Sequence, residues 1–360
     1  MPLPTIPEYS TSIKTPAFVR PHVLDGGHPF LSGERVIMYA GGFCVVYPYQ
    51  TPRKKYAVRC WHAEVSDAKE RTQLIAKALK DSELPYFVGF DYYEDGIMTS
   101  KGVQPIVVMD WVEAVPLKDF LAEHIHEHDS VNRIAENLKT MVSELHKNHF
   151  SHGDLQHGNI MVKPDLQLVL VDYDSMFVPA LKGKTDEIKG LAGYQHLSRW
   201  DNETVSEKAD YFSELVIYLS LKALAKMPAL WNELKMADTE TMIFSGEDIK
   251  SKGSSSIFRR LKSDSELAPL VDKLCEFMSK QSINELVPLE EAVVSLSENI
   301  AGKWKKGNGY VPGKEKGKID DSNTIAEAWS KGNGYDHSAE EAKKREKMAQ
   351  SISEKFKKIE

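Results

Sequence analysis

Three oxygen-bearing side chains stand at fixed spacing in one short stretch of this chain: Asp154, Asn159 five residues on, and Asp172 thirteen further. The stretch reads Ser151-His152-Gly153-Asp154-Leu155-Gln156-His157-Gly158-Asn159-Ile160-Met161-Val162, then Val169-Leu170-Val171-Asp172-Tyr173-Asp174 after a Pro164-Asp165 turn. Two short apolar runs around a turn predict a strand hairpin, with a loop leading into it and an acid just beyond it. Alone, an Asp in a loop is usually a cap and an Asn a turn residue. A hairpin changes that, because it brings all three side chains to one edge.

The surrounding pattern is α+β. At 360 residues the chain exceeds what one core usually spans, so two packed lobes with additional segments are expected. Residues 1–34 are rich in Pro and Gly without clear periodicity and read as an extended N-terminal strap. Over 35–112 strands dominate: Val36-Ile37-Met38, Val45-Val46-Tyr47 and Tyr56-Ala57-Val58 lie on either side of a turn placed at Pro48 to Lys55, and Pro105 to Val112 reads as another strand. Between them Ala68, Thr72, Ile75 and Leu79 fall at helical spacing, which predicts a helix over 66–79. Over 113–300 helices dominate. Val131, Ile134, Ala135, Leu138, Met141, Val142 and Leu145 form a helical apolar stripe. The apolar stretch Tyr211 to Trp231 holds Glu214, Lys222 and Lys226 and reads as a buried helix, with no membrane span.

The Ser151–Asp174 segment resembles the catalytic core of protein kinases and kinase-like phosphotransferases, which carry HxDxxxxN and then an Asp after a strand. The resemblance covers roughly residues 35–300. It implies a two-lobed fold with a small antiparallel-sheet lobe and a larger helical lobe, binding ATP and Mg2+. Phosphoryl transfer needs positioning and charge neutralisation more than covalent chemistry. By this resemblance Asp154 accepts or orients the acceptor's hydroxyl proton, while Asn159 and Asp172 hold Mg2+. Tyr39 to Tyr47 is similar to the glycine-rich loop, with Gly41 and Gly42 able to approach phosphates. Val108 to Glu113 resembles the hinge, with Met109 as gatekeeper and backbone groups of Asp110 and Val112 on the adenine. Asp210 is implied to be structural, bonding the catalytic-loop backbone.

Three departures bear on activity. Arg59 stands in Ala57-Val58-Arg59 where the family has Lys, and its planar fork either clamps phosphates or marks a weak site. Glu70 is the nearest helical acid to pair with it, yet at about 100° per residue it falls opposite the apolar face and reads as a solvated charge. Gly153, Gln156 and Asp174 replace the family's Arg, Lys and Gly. Losing that Arg removes the receiver for a loop phosphate. The expected function is therefore an atypical protein serine/threonine kinase, with a small-molecule kinase of the aminoglycoside or choline type, or a nucleotide-binding pseudokinase scaffold, as alternatives.

Charge and composition narrow the partners. Residues 301–360 hold 14 Lys+Arg against 10 Asp+Glu, which leaves the preceding body at −11 within a total of −7. An acidic body argues against tracking nucleic acid. Three cysteines, Cys44, Cys60 and Cys275, match no metal or redox spacing and fit a reducing, cytoplasmic setting. ATP and a protein substrate are the implied partners. The tail repeats Ile-Ala-x-x-Trp-x-Lys-Gly-Asn-Gly-Tyr at Ile300–Tyr310 and Ile325–Tyr335. The copies Trp304–Tyr310 and Trp329–Tyr335 are read either as paired docking peptides or as Trp residues packing on the large lobe.

Overall fold

A computed structural model describes residues 3–64 and 67–294. Met1–Ala292 forms one compact unit. The tail repeats lie outside the described residues.

The small lobe is built on one antiparallel sheet. Its strands are β1 (His28–Pro29), then, after the ribbon β2 (Leu31–Ser32) and β3 (Arg35–Val36), β4 (Tyr39–Ala40), β5 (Cys44–Gln50), β6 (Lys55–Trp61), β7 (Phe90–Thr99) and β8 (Gly102–Asp110). The order is β1-β5-β6-β8-β7, and β4 also pairs with β5. Alternation assigns the two faces. Val45, Tyr47, Tyr49, Tyr56, Val58, Cys60, Ile106 and Val108 share one core, while Cys44, Trp61 and Val107 pack on the other face with Phe90, Tyr92 and Met109. Val46 lies opposite Arg59 and Pro48 opposite Ala57.

Three expectations are corrected here. The turn does not begin at Pro48: β5 runs on to Gln50, the Pro48 carbonyl accepts from Phe30 N–H, and the Thr51 hydroxyl closes the turn by accepting from Arg53 and Lys54 N–H. The expected strand Pro105 to Val112 is displaced to Gly102–Asp110, which leaves Val112 in the connection beyond it. Nor is the N-terminal strap extended throughout. Helix α1 (Ile6–Ile13) starts at a Thr5–Glu8 capping box, and Pro7 falls in its first turn, where a missing N–H does no harm. Tyr9 and Ile13 of α1 are wholly buried in the sheet's outer core, and Tyr9 Oη donates to the Trp61 carbonyl at 2.9 Å. Burying two such side chains contributes about 1.5–3 kcal/mol each, so α1 closes a face that would otherwise meet water.

Helix α2 (Ala68–Ser82) buries Arg71, Thr72, Ile75 and Leu79. The large lobe follows with β9 (Val115–Pro116), α3 (Leu117–His124) and α4 (His128–Lys147). All seven residues of the predicted α4 stripe are buried. Then come β10 (Ile160–Val162), β11 (Leu168–Leu170), α5 (Tyr211–Lys226), α6 (Leu230–Glu233), α7 (Gly246–Lys250), α8 (Ser256–Lys262) and α9 (Ala268–Ser279). Helix α5 is buried almost all round, as a central helix must be, and packs along α4. Its Glu214 is buried and meets His146 of α4 at 2.8 Å; the other His146 nitrogen meets Glu290 at 3.0 Å. Among the described residues no helix is long and apolar enough to cross a membrane.

Candidate active site

The hairpin β10–β11 pairs Ile160 with Leu170 and Val162 with Leu168, and Val171 N–H donates to the Asn159 carbonyl at 3.0 Å just beyond the ladder. That bond carries the pairing one step past the ladder, so the chain leaves the hairpin at Asn159 on one side and at Asp172 on the other. Asn159 Nδ2 donates back to the Asp154 carbonyl at 2.8 Å and to Asp154 Oδ2 at 3.2 Å. Gln156 Nε2 reaches the same carboxylate oxygen at 3.5 Å. Asp154 and Asn159 therefore meet directly, and the Asp172 carboxylate lies close enough for its charge to act on Asp154. Asp172 adopts the left-handed backbone region, with φ 66°. Such strain in a non-glycine residue gathers where the surrounding structure over-determines a functional side chain.

The loop before the hairpin is held from below. Asp210, 2 % exposed, accepts from His152 N–H and from Gly153 N–H at 3.0 Å, the structural role its sequence context implied. His152 is wholly buried and its Nε2 donates to the Val171 carbonyl at 2.9 Å, tying the loop to the hairpin. Gly153 has φ 79°, and a Cβ there would stand 2.1 Å from the Ser175 carbonyl oxygen. Only glycine fits. Its place in His-Gly-Asp thus follows from the crossing of two backbone segments, joined also by the Ser151–Phe177 bridge.

Asp154 Oδ1 is buried without a partner among the described residues. Burial pushes the Asp154 pKa above the ordinary carboxylate value; His152 opposes this and the Asp172 charge adds to it. Gly190, at φ 75°, lies directly over this oxygen: a Cβ there would come within 2.4 Å of Oδ1 and 2.9 Å of Gln195 Nε2. Gln195 is fully buried with both amide atoms unpartnered among the described residues. The segment carrying these residues is ordered by Arg199, wholly buried and paired with Asp186 at 3.1 Å, and by the Thr185–Thr204 bridge.

Arg59 projects from β6 into the cleft and is 6 % exposed. Its Nη1 donates to Asp174 Oδ1 at 2.6 Å and its Nη2 to Asp174 Oδ2, with Nη2 also 3.2 Å from Asp172 Oδ1. Burial alone would depress its pKa, but the Asp174 and Asp172 charges hold it well above the ordinary value. Glu70 is not its partner. That side chain is 56 % exposed and pairs with Lys184 at 2.7 Å, as its position on the helix predicts.

Tyr173 fixes the Asp172–Asp174 turn between the lobes. Its hydroxyl donates to the Leu170 carbonyl at 2.6 Å and accepts from Val88 N–H at 2.8 Å, and its ring stacks on Phe90 at 5.3 Å. Met109 lines a small cavity with Arg59, Thr72, Ile75, Tyr173 and Asp174. Asp110 N–H is committed to the Gly89 carbonyl at 2.8 Å, and its carboxylate pairs with Lys54 at 2.6 Å. Gly41 and Gly42 form the β4–β5 turn. A Cβ at Gly41 would meet only the Cys44 carbonyl at 3.7 Å, and one at Gly42 nothing within 4 Å.

The residues sequence reasoning missed are Asp174 as the partner of Arg59, and Gly190 and Gln195 over Asp154. A signal for the first existed: a Lys-to-Arg and a Gly-to-Asp departure occur together in one chain. The donors present suit a hard cation only with help. Among the described residues no group of three or more His, Cys, Asp or Glu could hold a metal. Asn159 and Asp172 supply two oxygen donors, few enough that phosphate and water would complete the sphere Mg2+ demands. Comparison with curated proteins returned no match. The protein kinase domain family matches residues 9–287, most of the chain. With the hairpin, the anchored loop and the two lobes in place, the chain belongs to the protein kinase domain family.

Proposed function

We propose that this protein is an ATP- and Mg2+-dependent kinase that phosphorylates serine or threonine hydroxyls of protein substrates. The convergence of Asp154, Asn159 and Asp172 on one edge carries the reading. Asp154 takes the hydroxyl proton as the acceptor oxygen bonds to the γ-phosphorus and the bond to the departing ADP oxygen breaks. Its raised pKa makes it a stronger proton acceptor than a free carboxylate. Asn159 and Asp172 would hold Mg2+, which when bound neutralises charge on the phosphate oxygens. Arg59 faces the same edge and supports the nucleotide's phosphates. The Gly41-Gly42 turn leaves room above its backbone for phosphate oxygens, a use of glycine that the turn itself does not require. Met109 borders the adenine pocket, with backbone groups of Asp110 and Val112 facing the base; because Asp110 N–H is already bonded, its carbonyl is the group on offer.

The closed position of Gly190 over Asp154 means that an acceptor enters only when residues 186–196 shift. A segment of this length that borders the base suits a peptide acceptor better than a small metabolite. Incubation with γ-labelled ATP, Mg2+ and a mixed panel of proteins and small hydroxyl compounds tests this. Label in protein is expected; label only in a soluble metabolite overturns the protein-kinase reading, and no transfer despite Mg2+–ATP binding favours a nucleotide-binding scaffold.

A further inference from the structure

We propose that Asp174 is the positioning residue for Arg59, holding its guanidinium against Asp172 in place of a carboxylate from α2. This rests on the phosphotransferase reading above and adds to it the means by which the cleft cation is aimed.

A buried guanidinium requires an anion and aligned acceptors. Arg59 finds them all on the cleft walls. Asp174 engages it at two points, Asp172 Oδ1 lies 3.2 Å from Nη2, Cys44 Sγ lies 3.0 Å from Nε, and the Trp61 ring lies 5.5 Å from the guanidinium carbon. Two parallel bonds to one carboxylate fix both the plane and the direction of the fork. A lysine ammonium, a single point charge, could not span both Asp174 oxygens and Asp172 at once. A glycine at 174 would leave Arg59 without its main anion. The two departures from the kinase pattern are therefore one unit.

Helix α2 supplies no carboxylate to this unit. Its inward side chains are Arg71, Thr72, Ile75 and Leu79, and Arg71 donates to the Thr185 carbonyl at 2.7 Å. Its acid Glu70 faces Lys184 at the surface. Asp174 instead lies two residues from Asp172 in a turn that Tyr173 pins between the lobes. The cation and the metal-facing carboxylate are thereby placed by the same turn, and a displacement of α2 leaves Arg59 where it is.

A double-mutant cycle on the full chain tests the assignment, with Mg2+ and a non-hydrolysable ATP analogue as the probe. R59M and D174N are each expected to weaken binding about tenfold, with the double variant no weaker than the worse single, since coupled partners are non-additive. E70Q is expected to bind as wild type. Binding by D174N within about twofold of wild type, or multiplicative losses in the double variant, overturns the role of Asp174. If D174N does not fold, R59K decides: it keeps the charge but loses the fork, so several-fold weaker binding is expected and unchanged binding overturns the proposal. Absence of binding by wild type at millimolar probe strikes down the nucleotide-site reading and this proposal with it. Wild-type binding with an indifferent D174N strikes down the proposal alone.

Discussion

Replacing Gly153 by Ala is expected to destabilise the whole kinase domain, because the obstacle is backbone. The added Cβ would stand 2.1 Å from the Ser175 carbonyl oxygen and 2.9 Å from two further Ser175 atoms, and the residue holds φ 79°. Left-handed backbone costs a residue with a Cβ about 1–2 kcal/mol. Forcing the segments apart adds about 1–3 kcal/mol, as overpacking does. The total is about 2–5 kcal/mol, a large part of the roughly 5–15 kcal/mol by which a domain is stable. At about 2.1 cal/mol/K per residue, a body of roughly 290 residues unfolds with about 0.6 kcal/mol/K, so the expected fall in Tm is about 3–8 °C. The matched control lies in the same loop. Gly158 is exposed, and a Cβ there would meet no atom closer than the end of Gln156 at 3.4 Å, so G158A should melt within about 1 °C of wild type. Thermal unfolding followed by circular dichroism reads both. If G153A melts with wild type, the crossing of the catalytic loop and the Ser175 segment is not as tight as argued.

G190A is expected to act on catalysis more than on stability. Its Cβ would displace Asp154 Oδ1, and a misplacement near 1 Å can lower kcat about 10²-fold; wild-type turnover in G190A would refute the closed position of this residue. A pH series tests the His146 cluster. The flanking carboxylates Glu214 and Glu290 raise the His146 pKa to about 10 against the burial that opposes them, while the edge of the Tyr211 ring packs against it. A raised folded pKa means the protonated ring stabilises the fold fully below its ordinary value of 6.5, and that this contribution is lost as pH rises towards about 10. The stability gap between wild type and H146Q, measured by urea unfolding, should therefore be at its full width below about pH 6.5 and narrow as pH rises towards about 10. A gap independent of pH over that range would contradict the assignment.

Much of the site was legible because it is local. Asp154 and Asn159 lie in the loop that enters one hairpin and Asp172 just beyond it, so spacing and two apolar runs suffice to place them at its open end. The α4 stripe was legible for the same reason: seven apolar residues at helical spacing leave only one face to bury. Glu70 was rightly read as a surface charge, since its angle on α2 follows from periodicity. What failed was non-local or masked by local signals. Prolines near α1 and in β5 read as breakers, although Pro7 lies in a first turn and Pro48 keeps its carbonyl bonded. Strand β7 went unseen because Asp91, Glu94, Asp95 and Gly96 interrupt its alternation, and its register shifts between Tyr93 and Ile97. Asp174 lies 115 residues from Arg59, and no periodicity connects them.

The proposed phosphoryl transfer depends on Asp154 acting as the proton acceptor at an intact nucleotide site. Single-turnover transfer of the labelled γ-phosphate from Mg2+–ATP, measured in wild type and D154A beside equilibrium binding of the same nucleotide, tests this most directly. The chemical step in D154A should fall about 10²–10⁴-fold while nucleotide affinity stays near wild type. Equal transfer rates in the two proteins would contradict it.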